Sequence, residues 1–105
     1  MSTIITLDNL KNMRASLLTE QQIFTLHEKL PLWEIEKTKL KREWNFHNFI
    51  DAFSFITRIA MISEKMNHHP DIQNSYSKVK IELTTHDLGG ISSLDVELAK
   101  NIDSV

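Results

Sequence analysis

Along the chain, apolar positions switch between a helical and an alternating period, and each switch marks an element. Residues 1–18 show no clean period and are read as an irregular N-terminal arm with at most a short helical turn. Thr19-Glu20-Gln21-Gln22 then has the form of a capping box, in which Thr19 accepts from the Gln22 amide and Gln22 reaches back. Ile23, Leu26 and Leu30 follow at helical spacing. Pro31 closes this first helix, because the residue before a proline is pushed out of the α region. Trp33-Glu34-Ile35-Glu36 alternates as a half-buried strand does, and Lys37-Thr38 makes a plausible hairpin turn. Leu40, Arg42, Trp44 and Phe46 share one face of the next strand, opposite Lys41, Glu43 and Asn45. Arg42 on that apolar face is expected at its rim rather than in a pair.

The strongest helix begins at Asn48, a good N-cap, with Asp51 placed at the positive end of the helix. Phe49, Phe53, Ile56, Ala60, Ser63 and Asn67 form one stripe, widened by Ala52, Phe55, Ile59, Ile62 and Met66. So broad a face predicts burial on more than one side, by the sheet and by a second subunit. Pro70 marks the end of this helix. Asp71 to Tyr76 is a weak strand with Ile72 and Tyr76 on one face, and Ser77-Lys78 allows a turn. Val79, Ile81, Leu83 and Thr85 then alternate with Lys80, Glu82, Thr84 and His86 until Gly89-Gly90 breaks the strand. Ser92-Ser93-Leu94-Asp95 is a second capping signature, with Ile91 and Val96 placed as a hydrophobic staple. Leu94, Leu98, Ile102 and Val105 form the final stripe. Helix, hairpin, helix, hairpin, helix gives an α+β fold, with three helices covering one face of a four-stranded antiparallel sheet.

Composition narrows the function. A length of 105 residues suits one domain, and a net charge of −2 gives no footprint for nucleic acid or an anionic membrane. No apolar run approaches the ~20 residues of a membrane span, and the first residues lack the pattern of a signal peptide. The cytoplasm is therefore the expected compartment. The chain has no cysteine, so thiol nucleophiles, disulfides and cysteine-held zinc are excluded.

What stands out is histidine. His68 and His69 precede Pro70, His86 follows on the polar face of the last strand, and Glu64 lies one helical turn before His68. Three explanations fit. Histidines with a carboxylate can bind a metal, although the H-E-x-x-H spacing is absent and a metal is the least favoured. Histidine also exists in both protonation states near neutrality, so the cluster can donate one proton and accept another, as a dehydration requires. Finally, a His-His-Pro run at a helix end is sometimes only a favourable C-terminal cap. His27 and His47, lone and unclustered, are expected to be surface or packing residues.

These residues resemble the pterin-4a-carbinolamine dehydratases, a family whose animal members also act as dimerisation cofactors of a homeodomain transcription factor. The resemblance runs through Glu64, His68-His69-Pro70, Tyr76, His86 and Asp95. It extends to Val79 through Asp87, Gly90, Trp33, and the Phe46, Phe49, Ala52 and Phe53 run, and covers roughly residues 17–103. It implies a dimer or tetramer that dehydrates 4a-hydroxytetrahydrobiopterin, or a related pterin, to quinonoid dihydropterin. Such a step recycles the cofactor of aromatic amino acid hydroxylases and needs no metal or cofactor of its own. A hydroxylase or a regulator is then a conceivable protein partner. Carried over by position, His68 and His86 exchange protons with the hydroxyl and a ring nitrogen, and His69 holds the pterin. Glu64, one turn before His68, orients that histidine or hydrogen-bonds within the site, and Trp33 lines the pocket, although by pattern alone a strand tryptophan is more often core. Asp95 is either a direct participant or only the capping acid, and Tyr76 is expected to pack. Asn67 departs from members that carry an acid there, which implies a lower pH optimum if that acid tunes a histidine.

Overall fold

The structure, a computed structural model, describes residues 15–105. Helix α1 (Glu20–Lys29) opens on the predicted capping box: the Thr19 hydroxyl accepts from the Gln22 amide at 3.2 Å, and the Gln22 side chain accepts from the Thr19 amide at 2.9 Å. Strands β1 (Glu34–Ile35) and β2 (Leu40–Asn45) form the first hairpin. Its turn runs over Glu36 to Lys39, closed by the Glu36 amide on the Lys39 carbonyl at 2.9 Å, so it is longer than the two-residue turn expected. Helix α2 (Phe49–Met66) starts at Asn48, whose side chain accepts from the Asp51 amide at 2.8 Å. Strands β3 (Asp71–Ser75) and β4 (Lys78–Leu83) form the second hairpin, and α3 (Ser93–Asp103) ends the chain.

All strand pairings are antiparallel, in the order β1-β2-β4-β3. The three helices pack on one face, as predicted. Leu40, Val79, Ile81 and Leu83 point from the sheet into the core and meet Ala52, Ile59 and Met66 of α2 and Leu98 and Ile102 of α3. Each of these side chains other than Ala52 contributes roughly 1.5–3 kcal/mol by leaving water.

Several expectations are corrected. Of the broad expected face of α2, Ala52, Phe55, Ile59, Ser63 and Met66 are buried, whereas Phe49 and Phe53, and Met61 outside that face, are left exposed. Arg42 is not a rim residue. It pairs with Asp103 at the end of α3 and lies over the Trp44 ring, 4.6 Å from its centre. Tyr76 belongs to the β3–β4 turn rather than the strand; it is exposed, with φ of 54°. Asn74 supports that turn by donating to the Tyr76 and Lys78 carbonyls. Val105 lies past the end of α3 and is exposed.

Most of the expected arm, residues 1–14, lies outside the described residues. Its last part is tied down: Leu17 bridges Ser92, the Leu18 amide donates to the Ile91 carbonyl at 2.9 Å, and the Ser93 amide donates to the Ser16 carbonyl at 2.9 Å. Gly90 is the residue that fits beneath this crossing. A Cβ there would sit 3.2 Å from the Leu17 side chain.

Candidate active site

The site is set up by how α2 ends. Asn67 adopts a left-handed conformation (φ 51°, ψ 40°), which asparagine tolerates better than most residues. Its amide donates to the Glu64 carbonyl at 3.2 Å, and the His68 amide donates to the Ser63 carbonyl at 3.1 Å. His68 has therefore already left the helix, and the expected one-turn pairing of Glu64 with His68 does not form. Pro70 keeps His69 extended. Consecutive residues of an extended chain face opposite ways, so His68 and His69 separate to the two sides of the sheet edge.

His68 turns inward. Its Nε2 lies 2.6 Å from Asp95 Oδ1, at the start of α3. Asp95 is completely buried, and its other oxygen accepts from the Thr85 hydroxyl and the Ser92 amide, both at 2.8 Å. The Ser92 hydroxyl stands 2.6 Å from that of Thr85 and accepts from the Leu94 amide at 3.2 Å. Asp95 thus serves as the capping acid and as the partner of His68. Of the two roles open to Asp95, the capping acid is the one visible here, and the carboxylate has no exposed surface. No buried side-chain nitrogen or oxygen among the described residues lacks a partner. The free Nδ1 of His68 is consequently the nitrogen that solvent reaches.

His69 turns outward, and its Nε2 lies 2.7 Å from Glu64 Oε1. The acid that was expected to serve His68 therefore serves His69. His86 opens a single 3₁₀ turn (His86–Leu88) just past β4, which Gly89 ends at φ 71°. Its chain neighbour Thr85 faces inward to Asp95, so His86 faces out.

A cleft of about 410 Å³ is lined by both His69 and His86, together with Thr38, Lys39, Asp71, Glu82, Thr84 and Gly89. The strand registers explain this membership. Glu82 of β4 lies between Lys41 of β2 and Asp71 of β3. Continuing both registers by two residues puts Thr84 between Lys39 and His69. The floor is thus two cross-strand rows on the outer face of the sheet, away from the helices. The Thr84 hydroxyl donates to the Thr38 carbonyl at 2.7 Å, tying the β1–β2 turn to the floor. Glu82 is surrounded by Lys39 and Lys80, each at 3.5 Å, and Lys41 at 4.0 Å. Lys41 also donates to Glu36 at 2.9 Å, which lowers the Glu36 pKa and raises that of Lys41.

The structure thus gathers His69 and His86 on one cleft, with Glu64 bonded to His69, while His68 is bonded to Asp95 and is not among the lining residues. It does not bring Trp33 there. Trp33 is buried against Trp44, ring centres 5.7 Å apart, and its indole N–H donates to Asp103 at 2.8 Å. Asp103 closes α3, whereas the histidines gather at its start, so Trp33 is a core residue and not a pocket wall. The sequence pattern did not mark Lys39 or Glu82 as site residues. The alternation Glu82, Thr84, His86 was visible in the chain, but the rows across it need the register. Among the described residues no group of three or more His, Asp or Glu side chains is arranged to hold a metal ion.

The family model for pterin 4 alpha carbinolamine dehydratase matches residues 16–105. The chain belongs to this dehydratase family. Proteins of Synechococcus sp. (strain WH7803) and Prochlorococcus marinus (strain MIT 9303) that carry the dehydratase's name are 53% and 50% identical to it over 91 residues. That span is 87% of this chain and 98% and 95% of theirs. Among solved structures, a transcriptional coactivator/pterin dehydratase from Brucella melitensis superposes with a TM-score of 0.79 at 30% identity, covering 85% of this chain and 97% of that one. The family resemblance carried by the histidine motif thus extends over nearly all of the described fold.

Proposed function

We propose that this member of the family dehydrates a 4a-hydroxytetrahydropterin, 4a-hydroxytetrahydrobiopterin or a close relative, to quinonoid dihydropterin and water. The chemistry is histidine acid–base catalysis without a metal, and it would recycle the cofactor of aromatic amino acid hydroxylases. The observation that carries this is the convergence of His69 and His86 on one cleft, with carboxylates behind His69 and His68 at 2.7 and 2.6 Å. A protonated imidazole gives its proton to the 4a-hydroxyl. The lone pair of the neighbouring ring nitrogen forms the C=N bond as the C4a–O bond breaks and water leaves. A neutral imidazole then takes the N–H proton. Two histidines facing one ligand can do both, and solvent resets them.

His69 and His86 take the proton-exchanging positions, in place of the His68 and His86 pair that the sequence suggested. Glu64 fixes the His69 ring, as a carboxylate behind an imidazole does in hydrolytic triads. Asp95 does the same for His68. The test is the rate of dehydration of freshly formed 4a-hydroxytetrahydropterin with chelator present. Substituting His86 or His69 by alanine should lower it by about 10²-fold or more.

A second role is favoured by one observation. Phe49, Ile50, Phe53 and Met61 are about half exposed or more on α2. An exposed apolar patch of this kind marks a protein contact. It would serve a homodimer or homotetramer, and it would also suit a regulator or hydroxylase, given that the Brucella melitensis relative is described as a coactivator as well as a dehydratase. A complex that persists in the His86→Ala protein would separate this role from catalysis.

A further inference from the structure

In the cleft, most polar side chains are already engaged. His69 is held by Glu64, Lys39 by Glu82, and Thr84 by the Thr38 carbonyl. Glu82 is itself neutralised by lysines on three sides. Asp71 is different. It lines the cleft and is exposed, yet its carboxylate has no hydrogen bond or ion pair among the described residues. It lies directly across from Glu82, so its side chain shares the outer face with Glu82, Thr84 and His86. Its place is fixed, because it is the first residue of β3 and follows the rigid His69-Pro70 step.

We infer that Asp71 is the specificity residue that reads the 2-amino edge of the substrate, an inference that rests on the dehydratase function proposed above. The pterin ring carries two donors side by side, the 2-amino group and N3–H. This pair matches the two oxygens of a carboxylate, much as an arginine fork does. C2 lies directly across the pyrimidine ring from C4a. A pterin whose C4a hydroxyl meets His69 and His86 therefore projects its 2-amino edge away from them. Two residues of strand rise separate the Thr84 row from the Glu82 and Asp71 row by roughly 7 Å, and the three strands span roughly 10 Å. That floor accommodates a bicyclic ring lying flat with the histidines at one end and Asp71 at the other. Glu82 cannot substitute for Asp71, since its oxygens are already turned to Lys39, Lys41 and Lys80.

The experiment pairs equilibrium binding with kinetics on the full chain. A stable 7,8-dihydropterin and the same ring lacking the 2-amino group are titrated against the wild type and Asp71→Asn, which keeps the shape but removes one acceptor. The wild type should prefer the parent ring by about 10–100-fold, and Asp71→Asn should lose most of that preference. In the dehydration assay Asp71→Asn should raise KM by a similar factor and change kcat by only a few-fold, since the residue binds but moves no proton. If Asp71→Asn retains the wild-type preference and KM while the wild type dehydrates the pterin, the role of Asp71 is overturned and the dehydratase function stands. If the wild type neither binds pterins nor dehydrates them, both are overturned.

Discussion

At the scale of single residues, the two carboxylates behind the histidines differ in what their loss should do. Asp95 is buried and accepts from His68, Thr85 and the Ser92 amide. Asp95→Ala would strand those donors and remove the cap of α3, at a cost of about 2–4 kcal/mol. Glu64 is mostly exposed, and among the described residues its side chain bonds only His69. Glu64→Gln should therefore change stability by less than about 0.5 kcal/mol. It should still slow turnover several-fold by loosening the His69 ring. Urea unfolding beside the dehydration rate checks the contrast; equal loss of stability in both variants would mean that the burial difference is not what matters. His68 and His69 look equivalent in the sequence. Only the chain direction at Asn67 tells them apart, and the left-handed turn there is a backbone property that the helical period cannot reveal.

At the scale of elements, the parts governed by local chemistry were legible. The boxes at Thr19 and Ser92 and the cap at Asn48 form as read, since each depends on residues three positions apart. The alternation of Val79, Ile81 and Leu83 likewise named the central strand of the site. What was hidden depends on distant partners. Arg42 meets Asp103 across 61 positions, and Trp33 meets the same carboxylate across 70. Nothing in the local pattern of β2 announces an acid at the end of α3, so Arg42 was expected at the rim and Trp33 in the pocket. The helix end at Asn67 yields its own prediction. Asn67→Gly should leave stability nearly unchanged, whereas Asn67→Val should cost about 1–2 kcal/mol, because a β-branched residue resists a positive φ. The same valine variant should lose activity through displacement of His68 and His69. Thermal melting of the two variants decides the point: a valine protein that melts with the glycine protein would show that the left-handed turn does not set the helix end.

For the whole molecule, the sheet separates two tasks. Its inner face and the three helices form the core, and Asp95, at the start of α3, passes the rigidity of that core to His68. The outer face carries the cleft. The broad stripe of α2 was legible as more than one helix face can bury in a single chain, but which flank faces the sheet was not, because Phe49 and Ala52 satisfy the same period. The exposed flank gives the molecular prediction. Phe53→Glu should shift the sedimentation of the protein to a smaller species while the histidine cleft stays folded. Sedimentation identical to the wild type would place any self-association elsewhere.

The central claim is that His69 and His86 exchange protons with one pterin in the cleft on the outer face. The most direct measurement is the dehydration rate of freshly generated 4a-hydroxytetrahydropterin for the wild type, His69→Ala and His86→Ala, with chelator present and with melting temperatures measured alongside. The account predicts acceleration by the wild type, a loss of about 10²-fold or more in each variant, and little change in melting temperature. Turnover that survives both substitutions at the wild-type rate would contradict it.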